Sequence, residues 1–336
     1  RAGMAALEGL TGKRFGLGEG KAPPLLVSVR SGAPVSMPGM MDTVLNLGLT
    51  LEGVEALARA TGNPRFAWDS LRRLLAMYGE VVLGERPEVF EGMLSALKAE
   101  RGVGTDAALG PEDLEELAYR YLRHLEARGT PFPLDPWAQL QGAIEAAFKS
   151  WQNPRARTYR RIYGIPEDLG TAVVVQAMVF GNLGEDSGTG VGFTRNPATG
   201  EKGLYGEYLR NAQGEDVVAG VRTPEPLERL KGYAPGLYEE LLQVAERLER
   251  HFRDMQDFEF TVERGRLFLL QTRAGKRTAQ AAVRIAVEMA EEGLISREEA
   301  VTRAEANALP GLLRPSVDRD QAPRPLLKGL PASPGA

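Results

Sequence analysis

The clearest pattern along the chain is the polar–apolar alternation of Asp257-Phe258-Glu259-Phe260-Thr261-Val262. Glu263-Arg264-Gly265 then supplies turn residues, and Arg266-Leu267-Phe268-Leu269-Leu270-Gln271-Thr272-Arg273 returns. A side-chain period of two marks strands, so this run predicts a β-hairpin. A three-residue loop centres the pairing on Arg264 and sets Asp257 opposite Gln271. In that register Asp257, Glu259, Gln271 and Arg273 share one face, while Phe258, Phe260, Phe268 and Leu270 occupy the other. One side is core and the other is chemistry.

Elsewhere the period changes. Leu25-Leu26-Val27-Ser28-Val29-Arg30 is a compact apolar run stopped by Ser31-Gly32-Ala33-Pro34, which predicts a buried strand. From Leu51 to Trp151 the spacing is helical: Leu114, Leu117, Ala118, Tyr121, Leu122 and Leu125 recur at steps of three and four behind Pro111-Glu112-Asp113. A further strand is expected over 172–180, followed by a glycine-rich stretch, 181–206, that contains short extended pieces, a composition that fits a sheet with functional loops. Leu237, Leu241, Val244, Ala245, Leu248 and Phe252 mark one face of an amphipathic helix. A helix over about 277–292 and a short one opened by the capping pattern Ser296-Arg297-Glu298-Glu299 follow. The tail from Pro310 is proline-rich and reads as a stiff spacer.

Composition narrows the chemistry. The 336 residues are 43% hydrophobic and 26% charged, ordinary values for a globular protein of two or three units. With 41 Lys+Arg against 45 Asp+Glu, no global basic field points to nucleic acid or membrane as a partner. There is no cysteine, which excludes thiolate catalysis and cysteine zinc sites. The two histidines, His124 and His251, sit in charged helical patterns and read as surface residues. Apolar runs fall short of the roughly 20 residues that span a bilayer, so the expected setting is cytoplasmic.

Two carboxylates and an amide oxygen converging on one hairpin face suit Mg²⁺, with an arginine beside them to take phosphate charge. A solvated face with weak cross-strand ion pairs is the plainer alternative. Arg30, at a strand end before small residues, could offer a bidentate fork to phosphate or pair with a nearby acid. Ser187-Gly188-Thr189-Gly190 offers backbone N–H groups for an anion nest, or a tight turn. Gln176 and Met178 could meet a nucleotide base, or simply pack in the core.

Three long stretches together resemble the pyruvate, phosphate dikinase family: Val27 to Ala33 running through Met37 to Thr43, Asp186 to Pro197, and Met255 to Phe260 with Leu270 to Arg273. The resemblance also takes in Trp151 to Gly164 and Asn211 to Pro224. It implies an α/β (α+β) ATP-grasp nucleotide-binding fold with a mostly helical inserted subdomain. The expected parts are 1–50 as the remainder of an N-terminal lobe, 51–150 as the helical subdomain, 151–311 as the second lobe, and 312–336 as a linker. By the same resemblance Arg30 and Arg273 hold ATP phosphates and act in catalysis, while Asp257, Glu259 and Gln271 serve Mg²⁺ and the triphosphate. Gln176 and Met178 lie at the base, and Thr189 and Gly190 in a glycine-rich loop near the transferring phosphoryl group. Arg73, Glu207 and Glu215 would form a docking face for a phosphohistidine domain.

The family's overall reaction converts ATP, phosphate and pyruvate to AMP, pyrophosphate and phosphoenolpyruvate through a histidine on a swivelling domain, and its enzymes can be homodimers. An early glycine-rich segment with a phosphate-binding lysine, the acceptor histidine and the pyruvate-binding barrel are expected to lie outside these 336 residues, so the chain alone should not complete the reaction. Two alternatives stay open: a phosphoenolpyruvate synthase-like dikinase, and a non-catalytic interaction module.

Overall fold

The apolar run at Leu25–Val29, no residue of it more than 3% exposed, leads into β1 (Val27–Gly32), the middle strand of an antiparallel sheet. Its neighbours are β2 (Thr43–Leu47) and β3 (Ala172–Ala177), in the order β2-β1-β3. The computed structural model describes residues 1–16, 22–35, 37, 39–218, 222–304 and 312. They divide into two compact units, Arg1–Met178 and the chain from Val179 onward.

The first unit opens with α1 (Ala2–Thr11) and, after β2, runs through α2 (Leu51–Thr61), α3 (Pro64–Val81), α4 (Pro87–Arg101), α5 (Pro111–Ala127), α6 (Pro136–Ser150) and α7 (Pro154–Tyr163). Start signals in the sequence account for several boundaries. Thr50 Oγ1 accepts from the Gly53 amide at 3.0 Å, Asn63 Oδ1 from Phe66 at 3.0 Å, and the Asp135 carboxylate from Ala138 at 3.1 Å, while α3 to α7 each carry proline in the first turn. The helical region thus falls where the periodicity puts it. The strand expected over 172–180 stops at Ala177, and α7 and β3 belong to the first unit, so the compact units do not divide at the expected 150/151 boundary.

Within α3 lies a buried charged cluster. Asp69, 3% exposed, accepts from Arg72 at 2.6 and 2.9 Å and from Arg73 Nε at 2.9 Å. Burial by itself raises the Asp69 carboxyl, yet Arg72 and Arg73 together hold it well below the usual carboxylate range. A depressed folded pKa means the stabilisation is complete above the unfolded value of about 3.9 and is lost as pH falls below it. Urea unfolding midpoints of the wild type should therefore drop steeply between about pH 4 and pH 2. Asp69→Asn should start from a lower midpoint and fall less steeply; parallel profiles for the two proteins would contradict this.

The second unit is built on a five-stranded antiparallel sheet, β6-β5-β4-β7-β8. In chain order its elements are β4 (Gly188–Arg195), β5 (Lys202–Arg210), α8 (Gly214–Val218), β6 (Glu225–Pro226), α9 (Leu230–Tyr233), α10 (Pro235–Phe252), β7 (Gln256–Glu263), β8 (Arg266–Ala274), α11 (Ala279–Glu291) and α12 (Arg297–Arg303). The glycine-rich stretch expected to combine sheet and functional loops supplies β4 and the start of β5, with connecting segments before and between them. Its glycines answer to packing: a Cβ on Gly190 would come within 2.5 Å of the Phe260 ring, and one on Gly192 within 2.4 Å of Phe258. Phe258, Phe260 and Val262 pack with Leu241 and Ala245 of the α10 face read from the sequence, and with Tyr238, which that reading left out; Leu237, Val244 and Leu248 pack against the cluster, whereas Phe252 at the helix end is exposed. Ser296 Oγ caps α12 by accepting from the Glu299 amide at 3.1 Å. The proline-rich tail and its linker reading lie, Leu312 apart, outside the described residues.

Candidate phosphate and metal site

β7 and β8 are joined by a two-residue turn, with Glu263 paired to Arg266. Arg264 and Gly265 carry φ of 50° and 76°, the left-handed pair that lets a short hairpin follow the strands' twist. Arginine adopts that conformation rarely, and here it is held from outside. The Arg264 amide donates to Ser187 Oγ at 3.0 Å and the Gly265 amide to the Asp186 carbonyl at 2.8 Å.

Near the turn the register runs from Glu263↔Arg266 to Phe260↔Leu269; beyond a bulge at Leu270 it becomes Glu259↔Gln271 and Asp257↔Arg273. The expected three-residue loop is therefore corrected to two residues plus a bulge, and Asp257 faces Arg273, not Gln271. The extra residue restores the parity that the shorter turn removes. Asp257, Glu259, Gln271 and Arg273 consequently still share one face, opposite Phe258 and Phe260. The other two assignments change: Phe268 pairs with Thr261 and so lies on the Asp257 and Glu259 side, and Leu270 is the bulge residue.

On this face Arg273 Nε donates to both Asp257 oxygens, at 2.9 and 3.1 Å, and an Nη donates to Glu259 Oε1 at 3.1 Å. The three side chains are 18–29% exposed, so the cluster is partly desolvated. Burial pushes the Asp257 carboxyl up from its ordinary range, against the downward pull of Arg273. Lys276, absent from the sequence reading, also lowers it; the Gly-Lys-Arg triplet directly after the hairpin was the available signal. Gly275 bonds to the Met255 carbonyl at 2.9 Å, and Arg277 grips Asp254 at 2.8 and 2.9 Å, so the backbone on either side of Lys276 is anchored.

The donor set bears on a metal. Among the described residues no group of three or more His, Cys, Asp or Glu could cage an ion. Two carboxylates with an amide oxygen fit the other mode, in which Mg²⁺ keeps waters and completes its shell with substrate phosphates.

The remaining residues fall in different places. Thr189 and Gly190 are not in a loop: both lie in β4, paired on each side to β5 and β7, and Thr189, 5% exposed, donates to the Phe260 carbonyl at 3.2 Å. Their backbone is used by the sheet, which removes the nest geometry. Glu207 is exposed on β5 in the cross-strand row Glu207–Val191–Glu259–Gln271, which places it about 9–10 Å from Glu259 at ordinary strand spacing. Tyr205, which the sequence reading missed, occupies the adjoining row with Phe193, Asp257 and Arg273. Glu215 lies in α8, outside these rows, and Arg73 belongs to the first unit, bonded to Asp69.

In the first unit Ser28 pairs with Gln176, and Arg30 with Val174 and Thr43. Arg30 and Gln176 therefore share the sheet face turned away from buried Val27 and Val29, and the Met178 amide donates to the Leu26 carbonyl at 2.9 Å. No described helix is long and apolar enough to cross a membrane.

A family described as pyruvate phosphate dikinase, AMP/ATP-binding domain, matches residues 9–232 and 237–294. The chain is 57% identical over 334 residues to the pyruvate, phosphate dikinase of Clostridium symbiosum, covering 98% of this chain and 38% of that protein. Identity to the Rhizobium meliloti (strain 1021) pyruvate, phosphate dikinase is 54% over 349 residues, covering 100% and 38%. For the chloroplastic pyruvate, phosphate dikinase 1 of Arabidopsis thaliana it is 53% over 336 residues, covering 98% and 35%. The chain thus spans little more than a third of the length of these relatives.

Proposed function

Because this chain belongs to the pyruvate phosphate dikinase AMP/ATP-binding domain family, we propose that its β7–β8 hairpin holds the phosphates and Mg²⁺ of ATP for phosphoryl transfer. The observation that carries the reading is the bulged register, which brings Asp257, Glu259, Gln271 and Arg273 onto one face. Asp257, Glu259 and the Gln271 amide oxygen would hold Mg²⁺, which when bound draws charge from phosphate oxygens. Arg273 would take phosphate oxygens in its planar fork, stabilising charge as it shifts during transfer.

In the first unit, Arg30 is proposed for a phosphate contact and Gln176 with Met178 for the base. Support comes from the face that Arg30 and Gln176 share and from the family resemblance. Thr189 and Gly190 are left out, since their N–H groups lie in sheet ladders. The finer reading extends to transfer onto a histidine of a separate swivelling domain and to the overall conversion of ATP, phosphate and pyruvate into AMP, pyrophosphate and phosphoenolpyruvate. Glu207 and Glu215 of the second unit remain proposed contacts of that domain, as does, separately, Arg73 of the first unit.

Calorimetric titration of the protein at its full native length with ATP and Mg²⁺ tests the reading. Glu259→Gln should weaken Mg²⁺-dependent ATP binding by at least about tenfold, the loss expected when a charge-assisted contact worth about 1.4 kcal/mol or more is removed. An interaction module without nucleotide function would bind no differently after the change.

A further inference from the structure

Resting on that reading, we propose that Arg273 is the hairpin's resident counter-cation, which a divalent metal must displace from Asp257 and Glu259, so that metal binding releases the guanidinium to nucleotide phosphate. Its Nε bridges both Asp257 oxygens at 2.9 and 3.1 Å, and an Nη reaches Glu259 at 3.1 Å. The same arginine therefore spans both carboxylates proposed as metal ligands. The register enforces this, because Asp257↔Arg273 and Glu259↔Gln271 are adjacent same-face pairs of one hairpin.

Metal and guanidinium cannot use those lone pairs together. Mg²⁺ takes carboxylate oxygens at about 2.0–2.1 Å. A dication seated there would confront the guanidinium at close range in a partly desolvated site, where like-charge repulsion is little screened. Arg273 must then turn to another acceptor. A polyphosphate supplies one, and its oxygens also complete the metal's shell. Metal and nucleotide consequently help each other, and because linkage is reciprocal, each should raise the other's affinity by the same factor. Without nucleotide, the internal ion pair keeps the metal site weak.

The experiment titrates the full-length protein with Mn²⁺, reading free Mn²⁺ by electron paramagnetic resonance, with and without a non-hydrolysable ATP analogue. Arg273→Met should tighten nucleotide-free Mn²⁺ binding by about tenfold or more and bring the metal–nucleotide coupling factor toward one, from the roughly 5–150-fold of ordinary linkage. Lys276→Met removes a nearby positive charge without breaking a bond from Arg273 to the carboxylates, and should tighten it by no more than about threefold, the scale of an exposed charge. Arg273→Lys, which keeps the charge and loses the fork, should fall between, and it decides the matter if the methionine variant fails to fold by circular dichroism.

Equal or weaker nucleotide-free Mn²⁺ binding in the Arg273 variants would overturn the proposal while leaving the hairpin as the metal site. If Asp257→Asn bound Mn²⁺ with the analogue as well as the wild type does, the hairpin would not be the metal site, and both readings would fall.

Discussion

Arg273→Met should slow single-turnover consumption of ATP by the full-length protein by about 10²–10³-fold, the scale set by removing one preorganised donor from a developing charge. On the proposed reading Arg273 supplies that donor. Thr272 points to the opposite side and bonds to Gln256 at 3.2 Å, and Gln271 stands across from Glu259, so the Arg273 side chain leaves β8 on the face of the two carboxylates. Arg273→Lys should recover only a small part of the rate, since an ammonium cannot present the planar fork that matches phosphate oxygens. If the defect lies in transfer, it should persist at saturating ATP. A wild-type rate in Arg273→Met would remove the arginine from the chemistry.

The second large effect is on stability. Arg195 at the end of β4 is fully buried and serves three glutamates: Glu249 of α10 at 2.7 Å, Glu288 of α11 at 2.9 Å, and Glu292 just beyond α11 at 2.9 Å. Burial opposes its charge, but the Glu249 and Glu292 contacts outweigh this and raise its pKa. Glu249 is itself only 6% exposed, so removing the guanidinium strands a carboxylate away from water. Arg195→Met should cost about 3–5 kcal/mol, the range for breaking a buried ion pair from one side. Adding Glu249→Gln should return part of that loss, because a neutral amide is cheaper to bury than an unpaired charge. Guanidinium unfolding midpoints measure both, and an unchanged midpoint in Arg195→Met would show the network to be dispensable.

What the sequence made legible followed from local rules. Alternation at 257–262 gave the hairpin and the face shared by Asp257 and Glu259, and helical spacing behind Pro111 gave α5. The register was harder, because a two-residue turn and a bulge at Leu270 together keep the parity of a three-residue loop. The turn's left-handed arginine is held by Asp186 and Ser187, far away in sequence. Gly188, Gly190 and Gly192 read as loop because glycine is the ordinary turn signal. Their cause is the aromatic rings of Tyr208, Phe260 and Phe258 on neighbouring strands, which no local window contains. Arg195 escaped for the same reason, its partners lying 54 to 97 residues downstream.

A structure of the full-length protein with Mg²⁺ and a non-hydrolysable ATP analogue tests the role of this hairpin face most directly. The expected result is a metal at about 2.0–2.1 Å from oxygens of Asp257 and Glu259, with the Arg273 fork moved onto a phosphate. Nucleotide phosphates bound elsewhere, with Arg273 still paired to Asp257 and Glu259, would contradict it.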